Sequence, residues 1–126
     1  MNALAQVAAV VAGLLHVMFF VLESVVFRRP AGHRTFGVDP HDVEAVRPWA
    51  FNQGFYNLFL AAGTLGGLVL IWSGSKVEGR TLVLFACASM LAAAVVLLAT
   101  NRKMVRGAAI QGLPPLIALL AAAFLR

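Results

Sequence analysis

Four long apolar segments, joined by polar loops, make up most of the sequence. They are residues 3–27, 49–72, 81–100 and 108–125. A helix needs about 20 predominantly apolar residues to cross the hydrocarbon core of a bilayer. Only 12% of the residues are charged, about half the share found in soluble domains. The sequence therefore predicts an all-α fold, an integral membrane four-helix bundle that forms a single transmembrane domain over residues 1–126.

The basic residues are concentrated in two of the three loops. Seven of the ten Lys and Arg residues lie there: Arg28, Arg29, Arg34 and Arg47 in the loop of residues 28–48, and Arg102, Lys103 and Arg106 in the loop after the third segment. The other three, Lys76, Arg80 and Arg126, lie in the second loop and at the C-terminus. Cytoplasmic loops carry an excess of Lys and Arg, so these two loops are predicted to be cytoplasmic and both termini to lie outside. Because no soluble domain is present to carry a basic face, the net charge of +5 indicates membrane topology and not nucleic-acid binding.

The first loop is long enough to carry structure of its own. Its Asp-Pro pair at residues 39–40 is typical of a helix start, which predicts a short interfacial helix over residues 40–46. His33 and His41 are expected to be solvated in this loop. Because Cys87 has no Cys or His at ligand spacing, it is interpreted as a packing residue, and neither a metal nor another cofactor is predicted.

The first apolar segment divides into two faces at 100° per residue. One face bears small residues followed by polar and aromatic ones: Ala5, Ala9, Ala12, His16, Phe20, Glu23 and Phe27. The opposite face is largely aliphatic: Val7, Leu14, Met18, Val21 and Val25. Small residues allow helices to approach closely, so the first face is predicted to pack inside the bundle and the second to contact lipid.

The second apolar segment opens with the run FNQGFYN, residues 51–57. On a helical wheel its polar residues share one side with a small-xxx-small pair, and its phenylalanines turn away. That side holds Asn52, Gln53, Tyr56, Leu60, Gly63, Thr64 and Gly67, with Asn57 at its edge. The two glycines predict packing of this side against a neighbouring helix.

Most of the strongly polar side chains within the four segments fall at the ends predicted to be cytoplasmic. The set consists of Glu23, Asn52, Gln53, Tyr56, Asn57, Asn101 and Gln111, with His16 deeper, near the midplane. Ionisable residues inside a span are costly and indicate function by default. His16 and Glu23 are seven residues apart, roughly 10 Å along a helix, which suits a water chain or a small ligand between them.

These residues predict a pocket that binds a small amphipathic or lipid-like molecule from the surrounding bilayer. His16 and Glu23 are the candidate proton donor and acceptor, and the protein would be either a binding protein or an isomerase- or hydrolase-like enzyme. The candidate ligand-binding residues are Asn52, Gln53, Tyr56, Asn57, Asn101 and Gln111.

Two other functions stay open. In the first, the protein is a proton-coupled transporter of small molecules, in which Glu23 carries the proton and the protein is a homodimer. In the second, it is a structural membrane subunit whose polar layer holds the helices together.

Three features together resemble a known family. They are His16 with Glu23 in the first helix, the NQGFYN run at residues 52–57, and the QGLPP run at residues 111–115. The chain resembles, over essentially its whole length, the small bacterial membrane proteins catalogued as domain of unknown function 1304. The resemblance implies a multi-pass, four-helix protein of the bacterial cytoplasmic (inner) membrane, and it supplies no substrate or activity.

A second resemblance, in architecture only, is to the small multidrug resistance transporters. These have four helices, a similar length and one membrane Glu in the first helix, which in that family exchanges protons for cationic drugs in a dimer. The present sequence departs from them in its long first loop, its membrane His16 and its amide-rich second helix.

Overall fold

The structure, a computed structural model, describes residues 1–125. Helices account for 89% of the residues, and the described chain contains no strand. The α-helices are α1 (Ala3–Phe20), α2 (Pro30–His33), α3 (Val43–Trp72), α4 (Lys76–Thr100) and α5 (Val105–Phe124). A π-turn at Val21–Val25 follows α1, and three 3-10 turns lie at Arg34–Phe36, Pro40–Asp42 and Arg102–Met104.

Four helical stretches are long and apolar enough to cross a membrane. They are Ala3–Val25, Pro40–Trp72, Lys76–Thr100 and Arg102–Phe124. The predicted all-α fold with four membrane-spanning helices is therefore confirmed, while the side on which the termini lie stays a prediction.

The second spanning helix begins earlier than the sequence pattern indicated. The 3-10 turn Pro40–Asp42 leads directly into α3 at Val43, so residues 40–46 form the start of the continuous helical stretch Pro40–Trp72. Asp39 caps this start, because its side chain accepts a hydrogen bond of 2.8 Å from the His41 N–H. The cap predicted from the Asp-Pro pair is thus present, and the helix that follows it continues through Trp72.

The described chain forms two compact units. The first comprises residues 1–14 and 60–125, and its core contains Ala8, Ala9, Leu68, Ile71, Val83, Cys87 and Ala118. α3 and α4 approach closely in this unit at Gly67 and Gly79. A Cβ on Gly67 would lie only 2.8 Å from the Gly79 carbonyl oxygen. Arg80 and Asn2 hydrogen-bond to carbonyl groups near the end of α5, Ala122 and Ala121 respectively.

The second unit comprises residues 15–59. It contains the end of α1, the π-turn, α2 with its following turns, and the first part of α3. Phe27, Val43 and Ala50 form a small apolar core here. On the surface, Arg28 Nε lies 3.0 Å from Glu44 Oε1, and both side chains are exposed.

The two faces predicted for the first helix are confirmed by burial. The packing face is buried at Ala5, Ala9, Ala12, His16, Glu23 and Phe27 and half-buried at Phe20. The aliphatic face is exposed at Val7, Leu14, Met18, Val21 and Val25. Periodicity alone was sufficient here, because small residues mark one side of this helix and branched or long apolar residues the other.

Candidate functional site

Glu23 lies in the middle of the π-turn. The Val26 N–H donates to the Val21 carbonyl oxygen at 2.9 Å, five residues earlier instead of four. Such turns insert an extra residue into an α-helix and are frequent at functional sites. Glu23 is buried here, with 7% of its surface exposed, inside the spanning stretch Ala3–Val25. The π-turn therefore holds a carboxyl group where an apolar side chain would be expected.

Asn57 is the partner of this carboxyl group. Its Nδ2 donates to Glu23 Oε1 at 2.8 Å, and Asn57 is itself only 3% exposed. The bond joins the end of the first spanning stretch to α3 within the second unit. A buried polar group without a partner is expensive, so each side chain satisfies part of the other's hydrogen-bonding requirement.

The π-turn and α3 also contact each other at Ser24, the residue after Glu23. Ser24 Oγ donates to the Phe51 carbonyl oxygen at 2.8 Å. Gly54 lies against Ser24, and a Cβ at this position would overlap Ser24 Oγ. Gly54 therefore permits the approach, and the Ser24 hydroxyl bonds to a carbonyl oxygen of α3. The glycine of the NQGFYN run has a steric role beside the carboxyl site.

His16 is fully buried, with 0% of its surface exposed. Its ring packs edge-on against Phe19, with the two ring centroids 5.2 Å apart. It lies in α1, before the π-turn and seven residues before Glu23. The second unit thus holds both of the candidate proton-exchanging side chains in buried positions.

The other polar residues of the second unit face outward. Asn52, Gln53 and Tyr56 are exposed, and Tyr56 has 58% of its surface accessible. The buried side of α3 in this unit runs instead through Ala50, Gly54 and Asn57. The helical wheel predicted that Tyr56 lies on the packed side of this helix and Asn57 at the edge of that side. This prediction was wrong, because Asn57 is buried and Tyr56 is exposed.

Aromatic rings lie next to these exposed polar groups. Phe55 packs edge-on against Phe20 at 5.1 Å between centroids, and it also contacts Phe51 at 5.1 Å and Phe59 at 6.3 Å. Tyr56 meets Phe59 edge-on at 6.4 Å. The surface of α3 beside the carboxyl site is therefore both aromatic and rich in amides.

The two remaining candidate residues, Asn101 and Gln111, belong to the first unit. Asn101 is exposed and is the C-cap of α4, where its N–H donates to the Leu97 carbonyl oxygen at 2.9 Å. Gln111 is half-buried in α5. A ligand-binding role for these two side chains stays a prediction.

His33 was missed by the sequence analysis, which expected it to be solvated. It is buried, with 4% of its surface exposed, whereas His41 is exposed as expected. His33 Nδ1 lies 3.0 Å from the Phe27 carbonyl oxygen. Since that oxygen can only accept a hydrogen bond, Nδ1 carries the proton. Gly32 lies too close to the backbone of Phe27 for a Cβ to fit between them. This glycine is the one sequence signal that α2 packs against the backbone at Phe27.

Residues 1–125 contain no group of three or more His, Cys, Asp or Glu side chains that could hold a metal ion. Cys87 is buried in the core of the first unit, where it packs as a small apolar side chain.

The family model described as Protein of unknown function (DUF1304) matches residues 10–123, nearly the whole chain. No curated protein and no solved structure matches the sequence.

Proposed function

Because the chain belongs to the family described as Protein of unknown function (DUF1304), which names no activity, we propose a function from its own residues. The protein binds a small amphipathic or lipid-like molecule from the bilayer, and Glu23 exchanges a proton with the polar group of that molecule. The same chemistry would serve a binding protein or an enzyme that uses acid–base catalysis.

One observation carries this proposal: a buried carboxyl group is held by a π-turn inside a membrane-spanning helix. A charged residue within the bilayer costs several kcal/mol. Ionisable residues in spanning helices generally face the interior of the helix bundle, and they mark substrate or ion pathways and ligand-binding sites. Holding two helices together requires no carboxyl group, since Ser, Thr or a small residue serves that purpose in membranes. The hydrogen bond from Asn57 supports the proposal further by fixing the orientation of the Glu23 carboxyl group.

The neighbouring surface supports a ligand that is polar at one end and apolar at the other. The amides of Asn52 and Gln53 and the hydroxyl of Tyr56 offer hydrogen-bond donors and acceptors, and all three side chains are exposed. The rings of Phe51 and Phe59 offer apolar area beside them. Binding sites typically combine mostly apolar walls with a few placed polar groups.

A structural role is the second candidate, and the Glu23–Asn57 hydrogen bond itself favours it. A bond of this kind between membrane helices contributes about 0.6–2 kcal/mol. If the bond is the whole function of Glu23, its loss should lower stability and nothing else. Proton-coupled transport of a small molecule, with Glu23 as the proton carrier, is the third candidate. It requires a flux driven by a pH gradient and a homodimer.

The test is thermal unfolding of the purified protein in detergent, with amphiphiles that share one oleyl chain and differ in the polar group. Oleic acid, oleyl alcohol, oleylamine and monoolein form such a set. We expect at least one to raise the unfolding temperature of the native protein, and Glu23→Gln and His16→Ala to abolish this increase. Glu78→Gln is the matched control, because it makes the same replacement at an exposed position and should preserve the response.

The outcomes separate the candidates. Variants that unfold at lower temperature but keep the full response to the amphiphile support the structural role and refute ligand binding at Glu23. Uptake driven by a pH gradient into vesicles containing the protein, lost in Glu23→Gln, would identify the transport form.

A further inference from the structure

An apolar groove in the first unit ends at an exposed cluster of cations. The groove is lined by Val95, Leu98, Ala99, Arg102 and Val105. The first four positions follow an i, i+3, i+4, i+7 spacing, so they lie on one side of the end of α4 and the turn after it. Val105 opens α5 on the other wall. All five lining residues are exposed.

The charge at the end of the groove is uncompensated. Arg102, Lys103 and Arg106 are exposed, and within residues 1–125 none of them forms a salt bridge; the ion pairs found there join Arg28 and Arg47 to Glu44. Glu78 is the acidic residue of the first unit. It lies near the opposite end of α4, 24 positions before Arg102, which corresponds to roughly 36 Å at the rise of an α-helix.

Position in the bilayer decides what the groove can hold. The apolar wall belongs to the last turns of the spanning stretch Lys76–Thr100, and the cations follow it immediately. The wall therefore lies at the depth of acyl chains, and Arg102 lies at the depth of the lipid headgroups. A ligand that fits both has an acyl chain and an anionic group next to it.

We propose that this groove is a binding site for an anionic phospholipid, with an acyl chain along Val95, Leu98 and Val105 and the phosphate beside Arg102. Lys103 and Arg106 add to the positive potential that attracts the headgroup, and basic clusters next to spanning helices are recognised sites for anionic lipids. The proposal is independent of the function proposed for Glu23, because the groove lies wholly within the first unit.

The positive-inside bias explains cations in this loop without any bound lipid. If that bias were the whole explanation, every exposed cation on that side would contribute equally to the binding of an anionic lipid, and the apolar wall would have no effect on that binding. A groove that binds lipid predicts the opposite on both points. Arg29 supplies the comparison, since it is exposed and lies in the first loop, which is predicted to be on the same side.

Native mass spectrometry of the purified protein in detergent tests the proposal. Phosphatidylglycerol and phosphatidylcholine with identical palmitoyl and oleoyl chains are titrated separately, and apparent dissociation constants are compared. We expect tighter binding of phosphatidylglycerol. Arg102→Gln should weaken that binding roughly fivefold, the effect of one cation near the surface, while Arg29→Gln should leave it unchanged.

A second variant tests the apolar wall. Ala99→Trp places a bulky ring in the groove at an exposed position, so the fold should be retained, and it should weaken phosphatidylglycerol binding although no charge has changed. The proposal is overturned if the two lipids bind equally, if Arg29→Gln weakens binding as much as Arg102→Gln, or if Ala99→Trp has no effect. The proposal is also overturned if inorganic phosphate displaces phosphatidylglycerol at concentrations as low as those at which the lipid itself binds, because the acyl chain would then contribute nothing to the affinity.

Discussion

Gly54→Ala is the most direct test of the contact that holds the carboxyl site together. The added Cβ would overlap Ser24 Oγ and would lie 3.1 Å from both Ser24 Cβ and Ser24 N. The hydroxyl can rotate away, but the backbone nitrogen cannot. Rotation would break the 2.8 Å hydrogen bond from Ser24 to the Phe51 carbonyl oxygen, and the remaining crowding would push α3 away from the π-turn.

The expected magnitude combines three effects. Overpacking costs typically about 1–3 kcal/mol, and loss of the hydrogen bond from Ser24 adds about 0.5–1.5 kcal/mol. Alanine recovers up to about 1 kcal/mol through its higher helix propensity. With about 1 kcal/mol recovered, we expect Gly54→Ala to destabilise the protein by about 0.5–3.5 kcal/mol.

The free energy of unfolding can be measured by titrating the detergent-solubilised protein with sodium dodecyl sulfate. Fluorescence of Trp49 and Trp72, the two tryptophans of the chain, reports the transition. Gly66→Ala is the matched control in the same helix, since a Cβ there meets nothing within 4 Å. It should be neutral or stabilising by up to about 1 kcal/mol.

A double-mutant cycle shows whether the cost arises at Ser24. In a Ser24→Ala background the hydroxyl is already absent, so Gly54→Ala should cost at least ~1 kcal/mol less than in the native protein. If Gly54→Ala is as stable as Gly66→Ala, or if its cost is the same in both backgrounds, the close approach described here is wrong.

Three further predictions follow from individual contacts. Asn57→Ala should lower the free energy of unfolding by about 0.6–2 kcal/mol, the value of a hydrogen bond between membrane helices. Asn52→Ala, at an exposed position, should change it by less than ~0.5 kcal/mol. Equal effects of the two substitutions would contradict the assignment of the buried side of α3. Gly79→Ala should destabilise the first unit by about 1–3 kcal/mol, because its Cβ would strike the backbone carbonyl of Gly67, and a shift in the dodecyl sulfate midpoint measures it. Glu44→Gln should leave that midpoint unchanged in low and high salt, because exposed ion pairs contribute little; a clear loss that salt suppresses would refute this.

The spans and one helix face could be predicted from the sequence for a simple physical reason. The length of an apolar run is set by the thickness of the bilayer, so the four spanning helices are visible without any knowledge of their contacts. In α1, the small residues on one side contrast with the branched and long apolar residues on the other. That contrast predicted the burial of His16 and Glu23 correctly.

The inward side of α3 could not be found in the same way. Lipid is as apolar as a packed interface, so the apolar side chains of this helix do not show which of its sides faces inward. The amides of residues 52–57 were therefore assigned by helical periodicity alone, which favoured Tyr56 over Asn57. The structure instead buries Asn57, because Gly54 on the same side allows α3 to approach Ser24.

Tertiary structure also decided the backbone around the carboxyl group and the position of His33. A helical wheel assumes 3.6 residues per turn, and a π-turn breaks that assumption without any sequence signature of its own. α2 folds back so that His33 meets the Phe27 carbonyl oxygen, a contact that no periodic pattern encodes. By itself the sequence determined that the chain is helical and membrane-spanning and that Glu23 lies inside a span, because those properties depend on composition and length. Only the tertiary structure decided which side chain meets Glu23, because that depends on how closely two backbones can approach.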